Sequence, residues 1–349
     1  MTRVGPFALL SLVAALAMLA GCGAAPPTPA PKPKVGVVID SGSENDKSFN
    51  EYTLKGAREA ATAAGLDFSY VGSQSDLDYE RNIESLVAQG ADLVVTVGFR
   101  MADATAKAAR RHPGVRFAIT DAAFTPGAGC PDTVADCYTA EGGLANVTSL
   151  MFAEQEVAYL AGVLAACMSR TGTVATVAGV EIPPVVRFVT GFEHGARSVK
   201  PDIVALNRYI PDFNDPATGK VVAQGFISQG ADVIFGAGGN TGNGGLVAAK
   251  EAGAMAIGVD VDQYATYPEV REALLTSASK NVDVAVAAAV REFAAGRLLG
   301  GIRIATLANG GVGLAPYHDW EGRIPESCKE RVRAAEAAVE ADPSITGVR

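Results

Sequence analysis

From residue 34 onward, short apolar runs alternate with segments whose apolar residues recur every three or four positions. VGVVI, LDFSYV, DLVVTV and VRFAIT belong to the first kind, and their brevity and β-branched content predict strands. YERNIESLVAQ and ADATAKAARR belong to the second and predict amphipathic helices. The pattern resumes with AEQEVAYLAGVLAACMS as a helix, then TVATVAG, DIVALNRYI, DVIFGAG and AMAIGVD as strands with helices between them. Strict strand and helix alternation predicts an α/β fold with doubly wound parallel sheets, helices covering both faces.

An internal echo divides this pattern. QGADLVVTVG at 89–98 and QGADVIFGAG at 229–238 share one helix-end, turn and strand wording, which predicts two similar lobes. The first is expected over 34–145 and the second over 146–261. LLTSASKN reads as a strand ending at Lys280, and it is assigned with the following helix to the first lobe, as 262–299. IRIATL then crosses again, and RIPESCKERVRAAEAAVEA closes the second lobe, as 300–349. Ligands of open α/β sheets sit beyond the carboxyl ends of the strands. That rule selects Asp40, Gly98-Phe99, Asp121, the Gly236 to Gly239 turn and Asp260.

The first 33 residues break the alternation. Arg3 precedes the apolar run PFALLSLVAALAMLA, and Leu19-Ala20-Gly21-Cys22 follows. The run is shorter than a membrane-spanning helix requires, and the tetrapeptide resembles a bacterial lipobox. Residues 1–21 are therefore expected to be a lipoprotein signal peptide, with Cys22 lipidated and the Pro-rich 22–33 acting as a tether. The alternatives are a plain secretory signal or a single spanning helix.

Composition narrows the chemistry. A net charge of -9 with no basic run leaves no electrostatic footprint for nucleic acid. Four further cysteines, Cys130, Cys137, Cys167 and Cys328, form no C-x-x-C pair, so no zinc ribbon or redox motif is offered. Cys130 and Cys137 flank a short loop and suit a disulfide outside the cytoplasm; Cys167, in an apolar helix, is expected as a buried thiol. GAGGNTGNGG lacks the residue order of either phosphate-binding fingerprint and reads as a sharp turn after a strand. The three histidines, His112, His194 and His318, are far apart, and no G-x-S-x-G elbow exists, so neither metal nor cofactor is expected and the chain does not read as an enzyme.

DSGSENDKSFNEYTLKGA, VGFRMADAT, RFAITDAAF, FAEQEVAYLAGVLAA, GFEHGA, GADVIFGAGGNTGNG, IGVDVDQ and TSASKNVD occur in this order across the chain. The set resembles the basic membrane protein (BMP) family of substrate-binding lipoproteins of ABC transporters, whose best understood members bind purine nucleosides. The resemblance implies a two-lobed type I periplasmic-binding-protein fold with the ligand in the cleft. It also implies a monomer, lipid-anchored on the extracytoplasmic face, that gives its ligand to a permease. By the same resemblance, Phe49 and Phe192 match the two positions that sandwich the base, and Asp121 and Asn50 those that meet its polar edges. Asp40 and Asp260 match the groups that take the ribose hydroxyls, beside close backbone approach near Gly238, and Lys280 a lysine that reaches the sugar.

Read from the residues alone, Phe49 and Phe192 at helix starts suit a core residue or hydrophobic staple better than a ligand contact. Asp40 and Asp121 suit caps or turns, and Asn50 a solvated first turn. The cysteine-bearing GAGCPDTVADCY departs from the family pattern and is expected close to the base end of the pocket. Trp320 is expected to pack against the last helix. A binder of another small polar solute such as a sugar, and a ligand-sensing surface lipoprotein without a transport role, remain open on the same residues.

Overall fold

The computed structural model describes residues 1–2, 32–139 and 143–348. The expected signal peptide and Cys22 lie outside the described residues. Among those described, no helix is long and apolar enough to cross a membrane.

The chain runs β1 (Lys34–Ser41), α1 (Phe49–Ala63), β2 (Asp67–Ser73), α2 (Tyr79–Ala88), β3 (Leu93–Thr96), α3 (Ala102–Arg111) and β4 (Arg116–Thr120). Two short strands follow, β5 (Thr125–Pro126) and β6 (Gly129–Cys130), then β7 (Val147–Phe152) and α4 (Glu154–Met168). The second series is β8 (Thr173–Ala178), α5 (Pro183–Val199), β9 (Val204–Tyr209), α6 (Pro216–Ser228), β10 (Val233–Ala237), α7 (Gly239–Ala252), β11 (Met255–Asp260) and α8 (Gln263–Thr266). The chain ends with β12 (Leu274–Ser279), α9 (Val282–Ala294), β13 (Gly301–Ala305), β14 (Gly313–Leu314) and α10 (Glu326–Ala341).

Two six-stranded sheets result, ordered β13-β7-β4-β3-β1-β2 and β14-β12-β11-β10-β8-β9. Every pairing in them is parallel except β12 with β14. The central strands are buried throughout, as a sheet covered on both faces requires. The echo has a structural counterpart, because β3 lies between β1 and β4 as β10 lies between β8 and β11. Asp92 and Asp232 precede these strands and make the same ladder bonds: each amide donates to the strand on one side, and each carbonyl accepts from the strand on the other.

The lobe boundaries differ from those expected. β7 pairs with β4 and β13 with β7, so both complete the first sheet, whereas the sequence pattern places 146–261 and 300–349 in the second lobe. β12 pairs with β11 and stays in the second sheet, whereas the sequence pattern places 262–299 in the first lobe. α9 does return, packing on α1. The chain therefore crosses between lobes three times, at 152–154, 280–282 and 305–313. Backbone and side-chain bonds tie these crossings together: Ala153 N–H donates to Ala305 O at 2.8 Å, Leu307 N–H to Glu156 Oε2 at 2.8 Å, and Asn281 Nδ2 to Gly310 O at 2.9 Å. Hydrophobic periodicity cannot locate such crossings, since a strand's apolar pattern is the same in either sheet.

Two disulfides staple the fold. Cys130 and Cys137 are joined, with Cα atoms 5.8 Å apart. Cys167, expected as a free thiol, is joined to Cys328 across α4 and α10, with Cα atoms 5.7 Å apart; helix packing makes partners of residues that sequence spacing does not associate. Trp320 is buried beside this region, its indole N–H bonded to Glu272 O, rather than serving only the last helix.

Candidate functional site

The carboxyl ends of β1, β3, β4, β10 and β11 and the end of β12 face one cleft between the lobes, and seven of the eight residues selected from the sequence line it: Asp40, Phe49, Asn50, Asp121, Gly238, Asp260 and Lys280. Asp121 and Asp260 occupy corresponding places, each at the end of the fourth strand of its half. Both have left-handed backbone, with φ of 64° and 65°, a conformation that aspartate tolerates better than most residues. Duplication thus sets one carboxylate on each wall.

Lys280 sits between them, 2% exposed. Its Nζ donates to both oxygens of Asp121 at 2.7 Å and to Glu154 Oε1 at 3.3 Å. Burial draws the ammonium's pKa down, but Asp121, Glu154 and Asp260 outweigh it and hold the group above its ordinary value. Burial lifts Asp121 to about 6, opposed by Lys280. Asp260 is raised by burial too, with Lys280 and a 2.6 Å bond from Ser48 Oγ acting against the rise. Asp40 is likewise raised by burial although Tyr79 Oη donates to it. Acids outnumber cations here, so the cleft favours a ligand rich in hydrogen-bond donors.

Phe49 opens α1, whose first amides would be orphaned without a cap. The carboxylate of Asp46 fills that role, accepting from Ser48, Asn50 and Glu51 N–H at 3.0, 2.9 and 3.1 Å. Burial pushes Asp46 up to about 7 against those three donors. Asp46 lines the cleft but escaped sequence reading, because a charged residue in a Gly/Ser loop looks like solvated surface. Asn50 Oδ1 is buried without a partner among the described residues, an acceptor facing a site that offers it no protein donor.

The expectation for Phe192 fails. Its ring is 1% exposed and stacks 5.1 Å from Phe235 inside the second lobe. Phe188, one helical turn earlier on α5, lines the cleft instead. Gly191 and Gly195 explain the difference: a Cβ on either would lie 2.5 Å from Gln155 O or 1.9 Å from Tyr159 O. GFEHGA is therefore the seam where α5 packs on α4, and the residue between its glycines is driven into the core. Gly238 does line the cleft, but its lack of a side chain is required by Gly179, whose N would lie 2.3 Å from a Cβ. GAGGNTGNGG is mostly the opening of α7 rather than a turn. The cysteine-bearing insertion is absent from the cleft lining. It packs beside β7 and the segment after β4, where Tyr138 Oη meets Ser149 and accepts from Phe124 N–H.

Phe49 and Phe188 come from opposite lobes, and their ring centroids lie 4.5 and 5.9 Å from Lys280 Nζ. The cleft is drawn tight around this ammonium, with a cavity volume of about 70 Å³. No group of three or more potential metal ligands exists among the described residues.

A sequence model of the family described as ABC transporter substrate-binding protein PnrA-like matches residues 33–331. The ABC transporter nucleoside-binding protein BmpA of Lactococcus lactis subsp. cremoris is 33% identical over 242 residues, 66% of this chain and 64% of that protein. An uncharacterized lipoprotein of Pyrococcus abyssi is 31% identical over 338 residues, 92% of this chain and 78% of that one. A crystal structure of an ABC transporter solute-binding protein from Aeropyrum pernix K1 superposes with a TM-score of 0.73 at 31% identity, covering 88% of this chain and 86% of the other. With its two-lobed type I binding-protein architecture, the chain belongs to the PnrA-like family of ABC transporter substrate-binding proteins, which bind solutes and are not enzymes.

Proposed function

We propose that this protein captures a purine nucleoside between its lobes and delivers it to an ABC permease, acting as a monomer held to the extracytoplasmic face of the membrane by a lipid on Cys22. The observation that carries the ligand class is the pair of rings, Phe49 and Phe188, supplied by opposite lobes to one cleft. Stacking on such rings contributes roughly 1–3 kcal/mol per base. The unpartnered Asn50 Oδ1 and the Asp121 carboxylate suit the donor edges of a base, while Asp40, Asp260 and Lys280 suit ribose hydroxyls. A relative named as nucleoside-binding supports the same class.

The cavity of about 70 Å³ is well below the roughly 300–1,000 Å³ of drug-sized sites. Entry therefore requires the lobes to part about the three crossings, and capture is hinge closure with no bond broken. The lipobox Leu19-Ala20-Gly21-Cys22 and the lipoprotein relative support the anchor. Titration calorimetry with adenosine, guanosine, inosine, cytidine and uridine tests the ligand: purine nucleosides are expected to bind tightest. Absence of heat with all five refutes the assignment, and binding of free sugars instead transfers it to another polar solute. Mass spectrometry of the membrane-extracted protein tests Cys22; an unmodified Cys22 overturns the anchor.

A further inference from the structure

Glu154 is fully buried, with 0% exposure, in a protein whose ligand cleft it does not line. Its carboxylate is divided between two cations: Oε1 lies 3.3 Å from Lys280 Nζ, and Oε2 accepts from Arg187 Nε at 2.7 Å. Arg187 projects from α5, and its Nη2 is buried without a partner among the described residues. An arginine with an orphaned donor is retained there at a cost, which the contact with Glu154 offsets. The four side chains form one alternating row, Arg187, Glu154, Lys280 and Asp121, running from the second lobe's helix to the first lobe's wall.

Position along the chain gives this row a purpose. Glu154 stands at the end of one crossing between the lobes, and Lys280 stands at the start of another. Hinge residues move least when two lobes close, whereas Asp121 at the end of β4 and Asp260 at the end of β11 travel with their sheets. Asp121 also lines the cleft, so a ligand can compete for its bond to Lys280. Of the three acids that face the ammonium among the described residues, Glu154 is the one that stands at a crossing between the lobes, beside the Phe152 ring 4.9 Å from Nζ. We infer that Glu154 is a positioning residue that fixes Lys280 at the hinge, aimed into the cleft in both open and closed states, and that Arg187 holds Glu154 in that role.

The inference rests on the nucleoside reading only for its ligand arm, so two readouts are needed. The first uses ligand-free protein carrying 13C-lysine, with the Lys280 signal assigned by its loss in Lys280→Arg. The charged groups facing Nζ are Asp121 from β4, Glu154 from α4 and Asp260 from β11. Removing one of the three by Glu154→Gln is expected to lower the Lys280 inflection by about one pH unit or more, a tenfold change in its protonation equilibrium, and Arg187→Met to move it less and upward. The second readout is calorimetric affinity for inosine, expected to weaken about tenfold in Glu154→Gln with stoichiometry intact, and to fall off at lower pH on the alkaline side. A purely structural role for Glu154 lowers the melting temperature without moving the Lys280 titration; that result overturns the inference, as does inosine affinity within twofold of the parent. Should Glu154→Gln not fold, Arg187→Met carries the test, and an unmoved Lys280 signal there counts against the proposal. If the parent protein binds no nucleoside at all, the ligand reading falls and the ligand-free titration still decides.

Discussion

At the residue scale, Phe188 and Phe192 separate a ligand contact from a core contact within one helical turn. Phe188→Ala is expected to weaken nucleoside binding by roughly 1–3 kcal/mol, the range for a lost stacking partner, read as a roughly fivefold or larger rise in the dissociation constant. Phe192→Ala removes a ring packed on Phe235 and is expected to destabilise the fold by roughly 3–5 kcal/mol, seen in urea unfolding, with affinity nearly preserved in the folded fraction. Equal losses of affinity from both variants would contradict this division. The sequence made GFEHGA legible as a motif but not as a helix seam, because the glycines' partners, Gln155 and Tyr159, lie on another helix. Asp46 presents the converse case. Its folded pKa, near 7, exceeds the ordinary value of 3.8, so the native state holds a proton that the unfolded chain releases. The stability this contributes is complete below about pH 4 and is lost as pH rises through about 7. Asp40, Asp121 and Asp260 are raised as well and act in the same direction. Urea midpoints should fall from pH 5 to pH 8, and less steeply in Asp46→Asn; an identical slope in that variant would rule out Asp46 as a contributor.

At the scale of elements, the loop between β1 and α1 is what the second lobe grips. Asn243 Nδ2 on α7 donates to Asp46 O at 2.9 Å, Thr266 Oγ1 on α8 to Lys47 O at 2.7 Å, and Ser48 Oγ reaches Asp260 across the cleft at 2.6 Å. Asn243 is itself held by Gln263 Nε2 at 2.8 Å. These bonds join groups of the two lobes directly, so they favour the closed arrangement. Each contributes roughly 1 kcal/mol, and removing two by Asn243→Ala with Thr266→Val is expected to raise the open population and weaken ligand binding about tenfold or more. Small-angle scattering of the ligand-free double variant should give a larger radius of gyration; an unchanged radius together with unchanged affinity would show that the bonds do not restrain the hinge. Strands and helices were readable one by one, since each carries its own period. The destination of β7, β12 and β13 was not, because each strand's own pattern fits either sheet, and only the pairings of β4 with β7, β7 with β13 and β11 with β12 select one.

At the scale of the whole molecule, the two disulfides act over very different lengths of chain. Cys130–Cys137 spans 7 residues and Cys167–Cys328 spans 161. A cross-link restricts the unfolded chain more as its loop lengthens, and the loop-entropy relation gives roughly 2.4 kcal/mol for the first and roughly 5 kcal/mol for the second, as upper values. The long bridge also binds α10 to α4, the helix that begins at the hinge with Glu154 and packs along α5. Losing it should loosen the second lobe's support while leaving the cleft's own residues in place. Cys167→Ser with Cys328→Ser is therefore expected to lower the melting temperature by several degrees and clearly more than Cys130→Ser with Cys137→Ser, while nucleoside affinity at 25 °C changes little in either. Alkylation without reductant, followed by mass measurement, should find all four thiols blocked in the parent protein. Free Cys167 and Cys328 in the exported protein would remove the premise, and equal melting shifts for the two pairs would mean that native-state packing, rather than loop length, sets what each bridge contributes.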